Sequence, residues 1–289
     1  MNKPTITTKI SNGIGNNIFQ YVFTRLLCEQ HGSQLSFKYR PTYYGLKFFS
    51  DFGIDLPKIG KNKNFPTKTI GKSFRHESLF NPSYKNFNIN LSGHFENYEL
   101  YKKHIPRISS WFKQDIPKNN DDIVLHLRLG DRLMYKVSYD HNMKIEPQEY
   151  ISVIKRFSFD KLHIVTDMHV WDYVTEEMVN AMAFHCKTNS AICVKPKVAA
   201  MYFNSLIEEF KPLNPKIYLN DFGYSKAFNL IRSFDKIIFQ HSTFAWWAAA
   251  LSDASHVGVY GPWRPSKGAK NKNLGSTDYD GWFSWFKTS

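Results

Sequence analysis

The first 40 residues alternate between strand-like and helix-like patterns of apolar positions. Thr5–Ile10 is rich in β-branched residues, which is typical of a strand. Ile18–Gly32 spaces its apolar residues as a helix and ends on glycine, a residue that commonly terminates helices. Gln34–Tyr39 returns to the alternation of a strand. This order predicts a β-α-β unit and the beginning of a parallel sheet.

A second organised stretch begins near residue 120, after a weakly patterned segment at 41–90 that is predicted to be irregular. Its apolar pattern predicts strands at Asp121–Arg132, Lys161–Asp167, Asp235–Gln240 and His256–Gly261, and helices at Pro147–Phe157, Asp172–His185 and Ser242–Ala254. Residues 187–215 carry no motif, and we expect loops there and at 41–90 to shape a binding pocket. The two blocks predict an α/β protein with two parallel-sheet domains, 1–118 and 119–289, facing a cleft.

Composition narrows the class of protein. Of the 289 residues, 42% are hydrophobic, a fraction that excludes a disordered chain. The sequence contains no run of 18 consecutive apolar residues, the length expected of a membrane span. The first residues lack the apolar core of a signal peptide. Cys28, Cys186 and Cys193 have no metal-binding spacing and fit a reducing compartment. We therefore expect a cytoplasmic protein.

The chain is strongly basic, with a formal net charge of +13 at pH 7. Its lysines concentrate in two loop-like segments, Lys58–Lys72 and Arg264–Asn273. Such a balance favours an anionic partner, either a phosphorylated substrate, a nucleic acid or an anionic membrane surface with which the protein associates peripherally. A solvated basic surface without a partner is the competing interpretation. The chain carries no nucleic-acid-binding motif, so we expect no nucleic-acid partner.

Two predicted strand ends carry polar residues suited to an anion. His126 and Arg128 share one face of their strand by its period of two, and arginine binds phosphate in a bidentate manner. The alternative is a structural ion pair between Arg128 and Asp131. Ser242 and Thr243 open a helix directly after a strand, where free N–H groups attract anions, although both residues also cap helices without any ligand.

A third candidate is the glycine-asparagine turn at Gly13–Asn17, between the first strand and the first helix. It lacks the lysine of a phosphate-binding P-loop and the third glycine of the dinucleotide fingerprint, so it is a weak signal by itself.

Five segments together resemble the motifs of the α-1,2-fucosyltransferase family, in the same order and at similar spacing. They are GIGNNIFQY (13–21), LSGHFENYELY (91–101), VLHLRLGD (124–131), IVTD (164–167) and HSTFAWWAAAL (241–251). The resemblance implies a GT-B fold of two Rossmann-like domains and GDP-fucose as the donor. It also implies inversion at the anomeric carbon, transfer to a hydroxyl such as O-2 of a galactoside in a glycan, and no metal requirement.

The resemblance also implies roles for individual residues. Arg128 would bind the donor pyrophosphate, and His126 would support that strand end. The other donor-binding positions would be Gly13, Gly15, Asn16, Asp167, Asn229, Ser242 and Thr243. Asp131 and His126 are the candidates for the base that deprotonates the acceptor hydroxyl. A D-x-D pair at Asp278 and Asp280, which could otherwise suggest a metal, resembles a turn near a glycine.

The chain departs from the family pattern at three positions. Leu129 stands where the family has a second arginine, Met168 replaces the second aspartate of F-S-D-D, and Asn229 replaces a further aspartate. Asn229 can still accept a hydrogen bond from a guanine edge but loses the charge-assisted pair. These departures leave two alternatives open: a transferase that uses another nucleotide sugar, such as a different GDP-deoxyhexose, and an inactive relative that binds a glycan or nucleotide.

Overall fold

The computed structural model describes residues 3–40, 45–71, 76–112, 114–129, 147–167, 196–219, 222–240 and 242–260. The chain divides into two compact units, Met1–Asp115 and Ile116–Ser289. The division lies close to the boundary expected from the sequence, residues 118 and 119. Each unit contains one sheet whose described strands are all parallel, so the protein is α/β with two parallel sheets, as the pattern predicted.

The first unit has a four-stranded sheet in the order β2-β1-β4-β3. Its strands are β1 (Thr5–Lys9), β2 (Gln34–Lys38), β3 (Thr67–Ile70) and β4 (Asn88–Leu91). Its helices are α1 (Ile14–His31), α2 (Gly45–Asp51), α3 (Tyr98–Lys102) and α4 (Ile105–Trp111), with short 3-10 turns at His76–Phe80 and Pro82–Tyr84. The neighbours β1 and β4 are far apart in the chain, so the strand order reverses between them.

The helix α1 begins four residues earlier than the apolar pattern predicted. Gly13 is its N-cap residue in an extended conformation, and the Asn17 N–H donates to the Gly13 carbonyl at 3.1 Å. The glycine-asparagine turn is therefore the first turn of the helix itself. Gly32 ends the helix with a positive φ of 67°, a conformation in which glycine carries no steric penalty. The predicted C-terminus is confirmed.

The two faces of the first sheet differ in character. On one face, Tyr21 of α1 packs against Phe37 with ring centroids 5.9 Å apart. The opposite face carries a polar row in register across all four strands, formed by Ser36, Thr7, Asn90 and Thr69. Parallel sheets are normally covered by apolar packing on both faces, so this row departs from the usual pattern.

The prediction that residues 41–90 are irregular is wrong in part, because this segment supplies α2, β3 and β4. Each of the two strands is four residues long, and β4 pairs with β1 at the centre of the sheet. Three of the four β3 residues are exposed. Strands this short and this exposed show no clear alternation of apolar and polar positions.

The second unit has a five-stranded sheet in the order β7-β6-β5-β8-β9. Its strands are β5 (Asn119–Leu127), β6 (Leu162–Thr166), β7 (Lys216–Tyr218), β8 (Phe234–Gln240) and β9 (His256–Tyr260). Its described helices are α5 (Pro147–Ile154), α6 (Pro196–Phe210), α7 (Tyr224–Ser233) and α8 (Thr243–Ala250). Numbered from β5, this is the strand order 3-2-1-4-5 of a dinucleotide-binding sheet. It is compatible with a Rossmann-like domain.

Both faces of the second sheet are covered. Ile123, Leu125 and Leu127 of β5 join a fully buried cluster with residues of α5 and α6. On the opposite face, the ring of His126 lies 6.0 Å from the ring of Phe244 in α8. The alternation predicted for this strand is confirmed, although β5 ends at Leu127 and not at residue 132.

The prediction of a loop over residues 187–215 is wrong where the structure describes that segment. α6 spans 15 residues, and its Phe203, Leu206 and Phe210 are buried against α5 and the sheet. These positions recur at the spacing of one helix face, a signal that was present in the sequence. The helix predicted at Asp172–His185 lies outside the described residues. Among the helices that the structure describes, none has the length and apolar character needed to cross a bilayer.

A buried histidine links three strands of the second sheet. His163 of β6 lies 3.0 Å from Asp122 Oδ2 through Nε2 and 3.0 Å from the Tyr218 hydroxyl through Nδ1. Burial lowers the pKa of His163 despite the neighbouring carboxylate. Burial opposes ionisation of Asp122, but hydrogen bonds from Asn119 and His163 outweigh it and lower its pKa.

We expect the second unit to lose stability as the pH falls. The unfolded chain binds a proton at His163 near the ordinary histidine pKa of about 6.5, above the folded value, so the loss begins below that pH. Asp122 adds a further loss below about pH 3.9, the ordinary aspartate pKa. The measurement is the free energy of unfolding in urea between pH 8 and pH 5. The His163→Gln variant should show a smaller slope over this range, and an unchanged slope would contradict the assignment.

Candidate functional site

The carboxyl ends of β5 and β8 form the candidate site. In the second sheet, the chain leaves β5 toward β6 on one side, while β8 lies on the other side, so the strand order reverses between β5 and β8. Ligands of open parallel sheets bind beyond the carboxyl ends of the strands at such a reversal. His126 and Arg128 stand at the end of β5, and Ser242 and Thr243 follow β8. The contact between His126 and Phe244 joins the two ends.

Arg128 is held by a carboxylate from the neighbouring strand. Its Nε lies 2.9 Å from Oδ2 of Asp167, which directly follows β6. The other carboxylate oxygen, Oδ1, accepts the Leu129 N–H at 2.7 Å. The parallel register pairs Leu127 with Thr166, which brings both strand ends to one edge. Asp167 therefore fixes both the arginine side chain and the backbone that carries it.

This pair changes the interpretation of Asp167. The family resemblance implies that Asp167 binds the donor. The alternative interpretation of Arg128 was a structural ion pair with Asp131. In the structure, the carboxylate next to Arg128 is that of Asp167, and Asp131 lies outside the described residues. The Arg128 and Asp167 side chains are 28% and 23% exposed, so the pair lies at the surface of the sheet edge and not within the core.

His126 lies in the interior. It is 4% exposed and occupies the centre of the sheet, in register with Val165 of β6 and Phe239 of β8. The enclosed side chain packs at the end of β5, two residues before Arg128. The supporting role expected for His126 stays a prediction.

The start of α8 is capped by its own serine. Ser242 is 2% exposed, and its Oγ accepts the Ala245 N–H at 3.4 Å. The capping interpretation of Ser242 is therefore confirmed, and any role in phosphate binding would come in addition to it. Thr243 is the first helical residue and is half-buried. The first N–H groups of a helix lack intrahelical acceptors and create a positive potential at this point.

The rest of α8 is core. Trp246 and Trp247 are fully buried, with ring centroids 4.9 Å apart in an edge-to-face arrangement. Both indole rings therefore belong to the packed core. A helix enclosed this completely holds its N-terminus rigidly against the end of β8.

Asn229 contacts a half-buried arginine. It lies on α7, where its Oδ1 accepts from Arg232 Nη1 at 3.5 Å. Burial lowers the pKa of Arg232 to about 10, and Arg232 Nε also donates to the Leu251 carbonyl at 3.2 Å. Arg232 thus ties α7 to the end of α8. The proposed reading of a guanine edge by Asn229 stays a prediction.

The glycine-asparagine turn lies at the corresponding edge of the first sheet, where β1 ends beside β4. Gly15 is buried, whereas Gly13 and Asn16 are half-buried. A Cβ added at Gly13 would meet no protein atom within 4 Å, so packing does not require glycine at that position. The approach of these three residues to a donor stays a prediction.

The sequence interpretation missed a hydrogen-bond network behind this turn. Gln20 is 1% exposed, and its Oε1 accepts the Ser11 N–H at 3.1 Å. Its Nε2 donates to the Gly93 carbonyl at 3.0 Å, and Asn17 Nδ2 donates to the Ser11 carbonyl at 2.7 Å. The loops after β1 and β4 are thereby held together. A glutamine at an otherwise apolar helix position was the available signal.

We expect Gln20→Leu to lower the free energy of unfolding of the first unit by about 2–3 kcal/mol, because it removes the partners of a buried N–H and a buried carbonyl. The loss would be measured by hydrogen exchange of the β1 amides in the full chain. Gln30→Leu makes the same change at an exposed position of α1 and should have little effect. Equal effects of the two substitutions would contradict a structural role for Gln20.

Several predicted positions lie outside the described residues: Asp131, Met168, His241, Asp278 and Asp280. A cavity of about 420 Å³ lies at the opposite, amino end of the second sheet, beside Asp121, Lys236 and His256. The candidate site is defined by strand order and charge. Residues 130–146 and 168–195, which follow β5 and β6, lie outside the described residues.

No family model matches the chain, and no curated protein matches it at a significant level.

Proposed function

We propose that the protein is an inverting glycosyltransferase of the GT-B type that transfers L-fucose from GDP-fucose to a glycan hydroxyl, O-2 of a galactoside in the simplest case. The observation that carries the proposal is Arg128, fixed by Asp167 at the strand-order reversal beside the start of α8. An arginine and a helix start at this point suit the pyrophosphate of a nucleotide.

The chemistry needs an anion site because of the leaving group. The acceptor oxygen forms a bond to the anomeric carbon while the bond from that carbon to the β-phosphate oxygen breaks, and GDP leaves with the electron pair. Negative charge therefore grows on the β-phosphate. Since Asp167 engages Nε, the Nη groups of Arg128 would bind the pyrophosphate, and a guanidinium already held in place stabilises the new charge without reorganising.

The acceptor proton passes to a base. Of the two sequence candidates, His126 is 4% exposed and packs on Phe244, so an acceptor hydroxyl would not reach it in this conformation. We assign His126 to supporting the strand end and retain Asp131 as the candidate base. The protein would work in the cytoplasm, where nucleotide sugars are made, and would need no metal.

A donor screen and an activity assay test the proposal together. GDP or GDP-fucose should raise the apparent melting temperature more than UDP, dTDP or their sugars do, because a ligand that binds the native state stabilises it. Release of GDP from GDP-fucose should depend on an added acceptor oligosaccharide. Absence of both effects would overturn the proposal.

The three departures from the family pattern favour two further candidates. If a different GDP-deoxyhexose gives the larger thermal shift and is turned over, the protein is a transferase for that sugar. If GDP-fucose binds but no acceptor promotes release of GDP, the protein is a binding relative. Leu129 bears on both candidates, since its buried side chain contributes to the core and supplies no second positive charge.

A further inference from the structure

A groove in the first unit gathers lysine side chains on the polar face of the sheet. It has a volume of about 380 Å³ and lies between β1, β2 and the segment at 58–61. We call it the lysine groove and define it by its polar lining residues: Thr7, Ser36, Lys38, Tyr39, Lys58 and Lys61. None of these residues belongs to the candidate donor site.

The wall of the lysine groove is fixed by hydrogen bonds. The Phe37 N–H donates to the Pro57 carbonyl at 2.8 Å. Ser36 Oγ donates to the Ile59 carbonyl at 2.9 Å and accepts the Ile59 N–H at 3.0 Å. Thr5 Oγ1 donates to the Gly60 carbonyl at 3.3 Å. These bonds hold the segment alongside the sheet. The backbone that carries Lys58 and Lys61 is therefore fixed at the groove.

The charged residues that line the groove in the described part of the chain are all positive. The lining contains three lysines and no acidic residue, and the sequence carries no acidic residue between Asp55 and Glu77. Lys58 Nζ lies 4.0 Å from the centroid of the Tyr39 ring, and the Tyr39 hydroxyl donates to the Leu56 carbonyl at 2.9 Å. The anchored ring thus holds the ammonium group in place by a cation–π contact.

A threonine adds a hydroxyl to the lysine groove. Thr7 is 5% exposed and lines the cavity, and its side chain makes no hydrogen bond with the described residues. A threonine hydroxyl can both donate and accept a hydrogen bond. A ligand with acceptor oxygens would satisfy the Thr7 hydroxyl and the ammonium groups together.

We infer that the lysine groove binds a phosphate group. A phosphate offers several acceptor oxygens and a charge that balances more than one lysine. A volume of about 380 Å³ also exceeds what an isolated phosphate needs, so the groove has room for a phosphate carried on a body of sugar size. The same chemistry is presented by a soluble sugar phosphate and by the headgroup of an anionic lipid.

Two measurements on the full chain distinguish these sources. Isothermal titration with glucose 1-phosphate, and with glucose as the uncharged control, tests a soluble ligand. Co-sedimentation with phosphatidylcholine vesicles, with and without phosphatidic acid, tests a lipid headgroup. We expect saturable binding in one arm, weakened about tenfold by Lys58→Gln and by Lys61→Gln, since charge-assisted hydrogen bonds to an anion are lost. Thr7→Val, which keeps the shape and removes the hydroxyl, should weaken binding several-fold.

Lys85→Gln is the matched control, because Lys85 is exposed in the same unit but does not line the groove. Binding that falls equally in Lys85→Gln and Lys58→Gln would reveal an unspecific attraction to positive charge and would overturn the inference. Failure of both ligands to bind would overturn it as well. Neither result bears on GDP-fucose turnover, since no residue of the lysine groove belongs to the candidate donor site.

Discussion

Arg128→Ala is expected to lower turnover of the nucleotide-sugar donor by about a hundred- to a thousandfold, the cost of removing one preorganised donor to a developing oxyanion. Arg128 is partly exposed at a strand end, so its removal leaves no cavity in the core. The melting temperature should therefore stay close to that of the wild-type protein. The measurement is the rate of GDP release in the presence of acceptor, at saturating donor.

Arg128→Lys provides the sharper comparison. Lysine keeps the charge, but its single ammonium nitrogen cannot reproduce the planar group that contacts Asp167 through Nε and presents both Nη groups to the pyrophosphate. Its rate should lie between those of alanine and arginine. A rate near the wild-type value in Arg128→Ala, with the fold intact, would remove Arg128 from the mechanism and with it the main support for the proposed function.

Asp167→Ala is expected to lower turnover about ten- to a hundredfold, although Arg128 remains present. The loss follows from freeing the guanidinium, which forms an ion pair with Asp167 at 2.9 Å, and from losing the hydrogen bond of the Leu129 N–H at 2.7 Å, since a hydrogen bond to a charged group is worth about 1.5–3 kcal/mol. Asp167→Asn keeps an acceptor for the Leu129 N–H and should lose less. Rates of the two variants under the same assay conditions test this order.

The double variant Arg128→Ala/Asp167→Ala separates two roles for the aspartate. If Asp167 acts by positioning Arg128, the double variant should be no slower than Arg128→Ala alone, because coupled residues are not additive. If Asp167 binds the donor directly, as the family resemblance implies, the two losses should add. A rate well below that of Arg128→Ala would therefore contradict the positioning role.

The sequence predicted those elements whose local pattern is strong. β1 and β8 are runs of β-branched and apolar residues, and the N-terminus of α8 was indicated by Ser242, which caps it in the structure. The weakest signals were short or exposed. β3 and β4 are four residues each, and their place beside β1 depends on pairing across the chain, which no local pattern encodes.

The candidate site was predictable residue by residue but not as an arrangement. His126, Arg128 and Ser242 were visible as polar residues at the ends of apolar strands. The partner of Arg128 was not, because Asp167 reaches it only through the adjacency of β5 and β6. Gln20 was overlooked for the same reason, since its acceptor at Gly93 is 73 residues away.

The position of β5 in its sheet bears on the order in which the protein folds during synthesis. β5 pairs with β6 and β8, and β8 follows it by more than 100 residues. All strands of the first sheet have left the ribosome before β5 emerges, so that sheet can complete early. Until β8 is synthesised, however, the apolar β5 presents an unpaired edge, which is a template for aggregation. The strand-order reversal that creates the candidate site therefore also makes the second unit the slower and more vulnerable part of the nascent chain.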